Sequence, residues 1–167
     1  MRIELLHPEI LSILGSNGHG ARILIADSNF PFSTYPPLPA KKVFLNFAHG
    51  MLNVNNVLTV LKDYIPIEAA IVMMPPDESE QTIHFEFKEI LGTEYPLKKL
   101  KRFEFYEEVK SLDTCLVIAT GERRRFANIL LVRGVVKSIE KRRRKSWNQK
   151  SKKNGRMEQR VPLKTDS

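Results

Sequence analysis

The sequence predicts one α/β domain, a layered fold with a parallel or mixed sheet flanked by helices, followed by a separate basic segment. Within residues 1–136, short apolar runs of strand length alternate with stretches of helical spacing, which is typical of layered α/β domains. After Val136 the chain becomes dense in lysine and arginine and poor in aliphatic residues. The 167 residues are enough to bury a sizeable core. We therefore expect a domain over 1–136 and a tail over 137–167.

The first third of the domain is expected to contain one helix and one buried strand. Pro8 suits a first helical turn, where the backbone amide has no intrahelical partner in any case. The apolar residues expected to share one face of this helix are Ile10, Leu11 and Leu14. Arg22–Ala26 is a short apolar run that predicts a strand. The segment 32–47 is rich in proline at first, and we expect it to be irregular before it turns apolar.

The rest of the domain continues the alternation of helices and strands. Apolar residues recur at helical spacing over 50–63, which predicts an amphipathic helix. The run 67–74 predicts a second central strand, closed by two prolines. Residues 80–91 fit either a helix or a strand, and the length of the stretch favours a helix. The last predicted elements are a short helix over 103–110 and strands over 114–119 and 128–132.

The net charge of +8 is concentrated in the predicted tail. Residues 137–167 carry twelve lysines and arginines against three acids, a net charge of +9, and the remaining residues carry −1. A segment this polar cannot bury enough apolar area to offset the entropy lost on ordering, so we expect it to be disordered. Residues 141–153 have the composition of a nuclear-import or polyanion-binding segment. A solvated tail without a dedicated receptor is the alternative.

The sequence also bears on the compartment and excludes some kinds of site. Cys115 is the only cysteine, so no intrachain disulfide can form, as is usual in a reducing compartment. Neither a secretory signal nor a run of about 18 apolar residues is visible. We therefore expect a cytoplasmic protein without a membrane span, one that the basic tail could also take to the nucleus. The histidines show no metal-ligand spacing, so no metal site is predicted.

Three polar motifs each adjoin an apolar run and stand in a suggestive order. In chain order they are Gly18-His19-Gly20 with Asp27 after the first strand, Arg102-Phe-Glu-Phe-Tyr106-Glu107, and Thr120-Gly121-Glu122 with Ala127-Asn128. Together, over about residues 5–136, they resemble the L-fucose mutarotase / D-ribose pyranase family. The second motif is more typical of the fucose branch of that family.

The resemblance implies that the chain interconverts the anomers of a monosaccharide, most readily L-fucose. A mutarotase opens the sugar ring and recloses it on the other face, so one group takes the proton of the anomeric hydroxyl while another protonates the ring oxygen. This chemistry needs neither a cofactor nor a metal, and imidazole suits it because its protonation state changes near neutral pH. The resemblance also implies a homo-oligomer with sites near the subunit contacts.

Five residues are carried over from the family motifs as candidate site residues. His19 is the implied catalytic acid or base, and Asp27 would bind sugar hydroxyls or orient His19; both could instead cap local structure. Arg102, with its forked donors, would hold two neighbouring hydroxyls or else form a structural ion pair. Tyr106 belongs to the same cluster. The Asn128 amide would bind a pair of hydroxyls or satisfy backbone groups at the start of a strand.

The third motif departs from the family at one chemically important position. Phe126 stands where the family has a tyrosine, so an aromatic ring remains but its hydroxyl is lost. Ala21 and His49 also occupy positions where the family usually has an acid. Two alternatives to a mutarotase therefore stay open: a non-catalytic sugar-binding member of the family, and a nucleic-acid or polyanion binder that acts through its tail.

Overall fold

The computed structural model describes residues 4–136, which form a six-stranded sheet with four helices. The helices are α1 (Pro8–Ser16), α2 (Val54–Leu61), α3 (Thr82–Leu91) and α4 (Arg102–Val109). The strands are β1 (Arg22–Ala26), β2 (Lys41–Phe44), β3 (Ile67–Met74), β4 (Leu97–Lys101), β5 (Thr114–Ala119) and β6 (Ile129–Arg133). The predicted tail, 137–167, and the import or polyanion segment within it lie outside the described residues.

The sheet is mixed, and its topology brings most strand ends to one edge. The strand order is β2-β5-β1-β6-β3-β4. Pairing is parallel between β1 and β5, β2 and β5, and β3 and β4, whereas β6 runs antiparallel to both β1 and β3. Five strands therefore point the same way, and β6 begins at the edge where the other five end. This confirms the predicted α/β fold with a mixed sheet.

Helices cover both faces of the sheet, because the side chains of the central strands alternate between two apolar clusters. In β3, Ala70 and Val72 pack in a cluster that includes apolar residues of α1, α2 and α3. Ile71 and Met73, from the same strand, pack in the other cluster, which includes Phe105 of α4. Since both faces are covered, the central strands are apolar over most of their length, as the sequence indicated.

Local capping fixes where two of the helices begin. The side chain of His7 accepts a hydrogen bond from the Ile10 amide at the start of α1, where Pro8 occupies the first turn. Asn53 and Asn56 form a reciprocal capping box at the start of α2. The helix favoured by the length of the stretch 80–91 is present as α3, Thr82–Leu91.

The structure corrects the sequence analysis at four places, one of which is the helix expected over 50–63, since α2 covers only Val54–Leu61. Leu11 is 39% exposed, and Ile13 takes its place on the buried face of α1. This outcome follows from the helical period, since Ile10, Ile13 and Leu14 lie within one turn of each other. The sequence analysis also missed β2 and β4, which are the two edge strands of the sheet. In β4 three of five residues are lysines, which suits a solvent-facing edge strand. Because the strand contains no apolar run, a search for apolar runs does not detect it.

Candidate functional site

A cavity of about 530 Å³ lies at the edge where β1, β3 and β4 end and β6 begins. Asp27 directly follows β1, Arg102 directly follows β4, and Asn128 directly precedes β6. The topology of the sheet therefore brings these polar side chains together at one edge. Four of the five candidate residues line it: Asp27, Arg102, Tyr106 and Asn128. The other lining residues are Asn29, Phe30, Met73, Pro75, Pro76, Asp77, Arg125 and Phe126.

Asp27 and Asn128 form a buried pair on the floor of the cavity. The Asn128 side-chain amide donates to Oδ2 of Asp27 at 2.8 Å, and the Asp27 backbone amide donates to Oδ1 of Asn128 at 2.9 Å. The Asn29 amide donates to the remaining carboxylate oxygen of Asp27 at 2.8 Å. The two residues are only 2% and 3% exposed. Their burial and their reciprocal hydrogen bonds together fix the orientation of both side chains.

The protonation of Asp27 is set by competing effects. Burial raises the pKa of the Asp27 carboxyl, while hydrogen bonds from Asn29 and Asn128 act in the opposite direction. The net result is a pKa above the usual range for an aspartate. Asp27 thus combines a fixed geometry with a raised proton affinity, which suits a group that exchanges hydrogen bonds with a polyhydroxyl ligand.

Aromatic side chains form one wall of the cavity. The Tyr106 ring packs against Tyr35 with ring centroids 4.1 Å apart and meets the edge of Phe30 at 5.7 Å. Burial raises the pKa of the Tyr106 phenol, against the opposing effect of the nearby Arg102 guanidinium. Tyr106 therefore presents a neutral hydroxyl that can both donate and accept a hydrogen bond.

Arg102 stands at the start of α4, directly after β4. Its side chain lines the cavity and is exposed. No ion pair among residues 4–136 includes Arg102, so the structural role considered from the sequence finds no support in this part of the chain.

His19 lies at the opposite edge of the sheet from the other four candidate residues. It precedes β1, whereas Asp27 follows β1, and a five-residue strand alone separates them by more than about 13 Å. The amide of Gly20 donates to the carbonyl of Arg133 at 2.9 Å, which holds the Gly-His-Gly turn at the far end of β6. His19 Nε2 lies 2.9 Å from a carboxylate oxygen of Glu68, and the histidine side chain is 57% exposed. Within one chain, His19 does not reach the cavity.

Several lining residues were not among the candidates drawn from the sequence. Asn29 and Phe30 lie two and three residues after Asp27, and Pro75 and Pro76 close β3, so their position after a central strand was a usable signal. Arg125 carried no such signal, because the sequence does not indicate which of three consecutive arginines turns inward. Phe126 is in the cavity wall with a φ of +60°, an unusual conformation for a residue with a side chain.

Two further features concern the described residues as a whole. Residues 4–136 contain no cluster of three or more histidine, cysteine, aspartate or glutamate side chains arranged to hold a metal ion. None of the four helices in this part of the chain has the length and apolar character needed to cross a membrane.

Comparison with known proteins finds relatives whose names or bound ligands are connected with sugars. The human protein named fucose mutarotase is 34% identical over 142 residues, covering 79% of this chain and 90% of its own length. The structure of Bacillus subtilis RbsD complexed with D-ribose matches with a TM-score of 0.70 and 26% identity, over 82% of this chain and 99% of that one. FucU from Bifidobacterium longum matches with a TM-score of 0.67 and 29% identity, over 78% and 95%.

The model of one family matches the whole of the domain described above. That match, to the RbsD / FucU transport protein family, extends over residues 1–136. Together with the 34% identity to a curated relative, it shows that the chain belongs to the RbsD / FucU family.

Proposed function

We propose that this chain is a sugar mutarotase that interconverts the anomers of a monosaccharide, with L-fucose as the first candidate substrate. One observation carries the proposal: Asp27, Asn128, Arg102 and Tyr106 line a single cavity at the carboxyl edge of the sheet. The likeness to the human protein named fucose mutarotase supports both the reaction and the sugar. A cavity lined by one carboxylate–amide pair, an arginine and aromatic rings matches the hydroxyl groups and apolar faces of a pyranose.

In the proposed reaction the ring opens by two proton transfers and closes by their reversal. One group takes the proton from the anomeric hydroxyl while another protonates the ring oxygen. The bond between the anomeric carbon and the ring oxygen breaks, and the anomeric oxygen becomes a carbonyl. The buried pair of Asp27 and Asn128 holds neighbouring hydroxyls, and Arg102 stabilises negative charge that develops on oxygen. Tyr106 supplies the phenolic proton, because it lines the cavity and Phe126 has no hydroxyl to offer.

We further propose that the second acid–base group is the His19 of the partner subunit in a homo-oligomer. His19 is exposed and lies at the opposite edge of its own sheet, so its own cavity lacks an imidazole. A neighbouring copy could place this edge against the cavity, with Glu68 orienting the ring through the contact at 2.9 Å. The homo-oligomer is thus part of the proposal, since each site would be incomplete without a second copy.

Exchange between the anomers of L-fucose, followed by saturation-transfer NMR, tests the activity directly. The protein should accelerate exchange, and His19→Ala should abolish the acceleration while leaving the fold and the cavity intact. Unchanged exchange in that variant would exclude His19 from the reaction.

A mixing experiment tests whether the site is shared between copies. His19→Ala lacks the imidazole and Asn128→Ala lacks the floor of the cavity, so each variant alone should be inactive. Co-expression of the two should restore part of the activity, because some sites would combine an intact cavity with an intact His19. A mixed oligomer that stays inactive would mean that the histidine does not act across a subunit contact.

The basic tail motivates a second, independent proposal about partners and location. The domain carries a net charge of −1 and the tail +9, so polyanion affinity would reside in residues 137–167. We propose that residues 141–153 bind a polyanion or an import receptor, and that the protein is cytoplasmic with access to the nucleus.

A further inference from the structure

The three consecutive arginines before Phe126 make different contacts. Arg123 is exposed, and Arg125 lines the cavity. Arg124 instead lies between two carboxylates, those of Glu122 and Glu86. A run that looks like one solvated charge cluster in the sequence therefore contains a residue with a specific structural contact.

The contacts of Arg124 bridge two separate parts of the fold. Its Nε and Nη2 donate to the two carboxylate oxygens of Glu122 at 3.0 and 2.9 Å, and its backbone amide donates to the first of these at 3.0 Å. Its Nη1 donates to both oxygens of Glu86, in α3, at 2.9 and 2.8 Å. Asn55, in α2, donates to the same Glu86 carboxylate. We call this set, Asn55, Glu86, Glu122 and Arg124, the arginine clamp.

The clamp is anchored at a buried charge. The Glu122 side chain is only 5% exposed, and a buried carboxylate is costly unless it is paired and hydrogen-bonded. Forked arginine contacts to carboxylates are among the strongest and most directional hydrogen bonds in proteins. Arg124 thus has one favoured position, fixed at the Glu122 end and held to α3 by Glu86.

The loop that carries the clamp is also tied to the cavity on its other side. The Ser28 amide and hydroxyl both donate to the Glu122 carbonyl, at 3.0 and 2.7 Å, directly beside Asp27. The Gly121 carbonyl accepts from the Gly50 amide at 2.6 Å, and a Cβ at Gly121 would collide with neighbouring carbonyl oxygens. The loop is therefore fixed up to Glu122, and the clamp extends this fixation to Arg124.

Two residues beyond the clamped arginine, Phe126 adopts a left-handed backbone conformation. Its φ is +60°, which is strained for a residue with a Cβ. Such a conformation persists only where the surrounding structure over-determines it. On the far side, the Phe126 carbonyl lies 3.4 Å from Nε2 of buried His84, and Asn128 is held by Asp27. The clamp supplies the restraint on the near side.

We propose that Arg124 is a positioning residue for the mutarotase site, holding Phe126 and Arg125 against the sugar through the clamp. Arg124 itself does not line the cavity. It acts by keeping the strained turn closed, which sets the place of the aromatic wall and of the Arg125 guanidinium. This inference rests on the proposed function for its catalytic consequence, whereas its structural part stands on the clamp alone.

Three variants test the proposal. Arg124→Gln removes the bridge, and Arg123→Gln removes a neighbouring arginine that lies outside it, as a control matched in charge and position. Glu86→Gln weakens the bridge while leaving Glu122 paired with Arg124, and so keeps the test open if Arg124→Gln fails to fold. The melting temperature of each variant is measured first, and kinetics are taken well below it.

The kinetic readout is kcat and KM for L-fucose anomer exchange by the folded protein. Arg124→Gln should lower kcat/KM about tenfold or more, Glu86→Gln should lower it by a smaller factor, and Arg123→Gln should leave it unchanged. A role in folding alone would lower the melting temperature and leave kcat/KM of the folded protein at the wild-type value, and that result would overturn the proposal.

A second readout does not depend on activity. A residue with positive φ gives a strong NMR cross-relaxation peak between its own amide and α protons, so Phe126 should show this peak in the wild type and in Arg123→Gln. The peak should weaken in Arg124→Gln and Glu86→Gln. If it persists in both, the clamp does not hold the turn. If the turn responds but the wild type never accelerates exchange, the positioning role survives and the proposed function fails.

Discussion

At the scale of single residues, the replacement of a tyrosine by Phe126 limits which groups can move a proton. Phe126 lies in the cavity wall, so its ring can pack against an apolar face of a sugar. Tyr106 lies in the same cavity, and burial favours its neutral phenol. The hydroxyl missing from position 126 therefore has a neighbour that can act in its place.

Restoring the hydroxyl by Phe126→Tyr should accelerate anomer exchange. General acid–base groups contribute about 10²–10⁴-fold, and we expect the lower end of that range because Tyr106 already supplies a proton. Sugar affinity should change less, since one added hydrogen bond contributes about 0.5–1.5 kcal/mol net. Saturation-transfer NMR gives the rate and a titration gives the affinity.

Tyr106→Phe is the matched control, because it removes a hydroxyl from the same cavity without removing a ring. It should lower the rate in the wild-type background and lower it less in Phe126→Tyr. If Tyr106→Phe has no effect in the wild-type background, where Phe126 has no hydroxyl, Tyr106 does not supply the proton.

At the scale of elements, the strand ends decide which predicted residues meet. Asp27, Arg102 and Asn128 come together because β1 and β4 end where β6 begins. The motif order indicated these residues, but only the antiparallel placement of β6 explains why Asn128, at the start of a strand, joins residues that follow strands. His19 could have been separated from them on the sequence alone, since the strand 22–26 intervenes between it and Asp27.

The edge strands and the arginine clamp were beyond prediction for physical reasons. The lysine-rich β4 buries little apolar surface, so its strand character comes from pairing with β3 and leaves no apolar pattern. The clamp joins Glu122 to Glu86, which is 36 residues away in the chain, and such long-range pairs have no local signature. Helices with an apolar stripe and strands with an apolar run were accessible because burial alone defines them.

The loop between β5 and β6 should make stability depend on pH through Glu122. Burial by itself would raise the pKa of this carboxyl, but hydrogen bonds from the Arg124 side chain and backbone outweigh it and hold the pKa below the ordinary value of 4.5. A group with a depressed folded pKa stabilises the fold above its unfolded pKa. That stabilisation is lost as pH falls through the folded value.

Glu122→Gln should therefore lower the free energy of unfolding by about 1–3 kcal/mol at neutral pH. The difference from the wild type should shrink as the pH falls below 4.5, and should close as the pH falls through the lower pKa of the folded-state carboxyl. Urea unfolding followed by circular dichroism across this range measures both effects. Glu89→Gln, which changes an exposed glutamate of α3, is the control and should show neither the lower stability nor its pH dependence. If Glu122→Gln lowers the free energy of unfolding by the same amount at every pH, the role assigned to the Glu122 charge is wrong.

At the scale of the whole molecule, charge separates the chain into two parts with different chemistry. The nearly neutral domain suits a neutral monosaccharide, because its net charge of −1 favours neither anionic nor cationic ligands. The tail concentrates twelve basic residues in its 31 positions, so any polyanion affinity should be independent of the sugar site. The two proposed activities can therefore be removed one at a time.

Deleting residues 137–167 should abolish binding to a DNA duplex and leave L-fucose exchange and the melting temperature of the domain unchanged. Binding by the full chain should weaken steeply with salt, because each phosphate neutralised by a lysine or arginine releases counterions. The logarithm of the binding constant should fall with the logarithm of the salt concentration, with a slope of about −0.9 per phosphate contact.

A full-length variant with the tail residues scrambled keeps the charge but destroys the 141–145 run. If it binds DNA like the wild type but no longer enters nuclei, the run serves an import receptor and the remaining charge serves polyanions. If the truncated domain still binds DNA as tightly as the full chain, the affinity lies in the domain, and the division of charge does not divide the function.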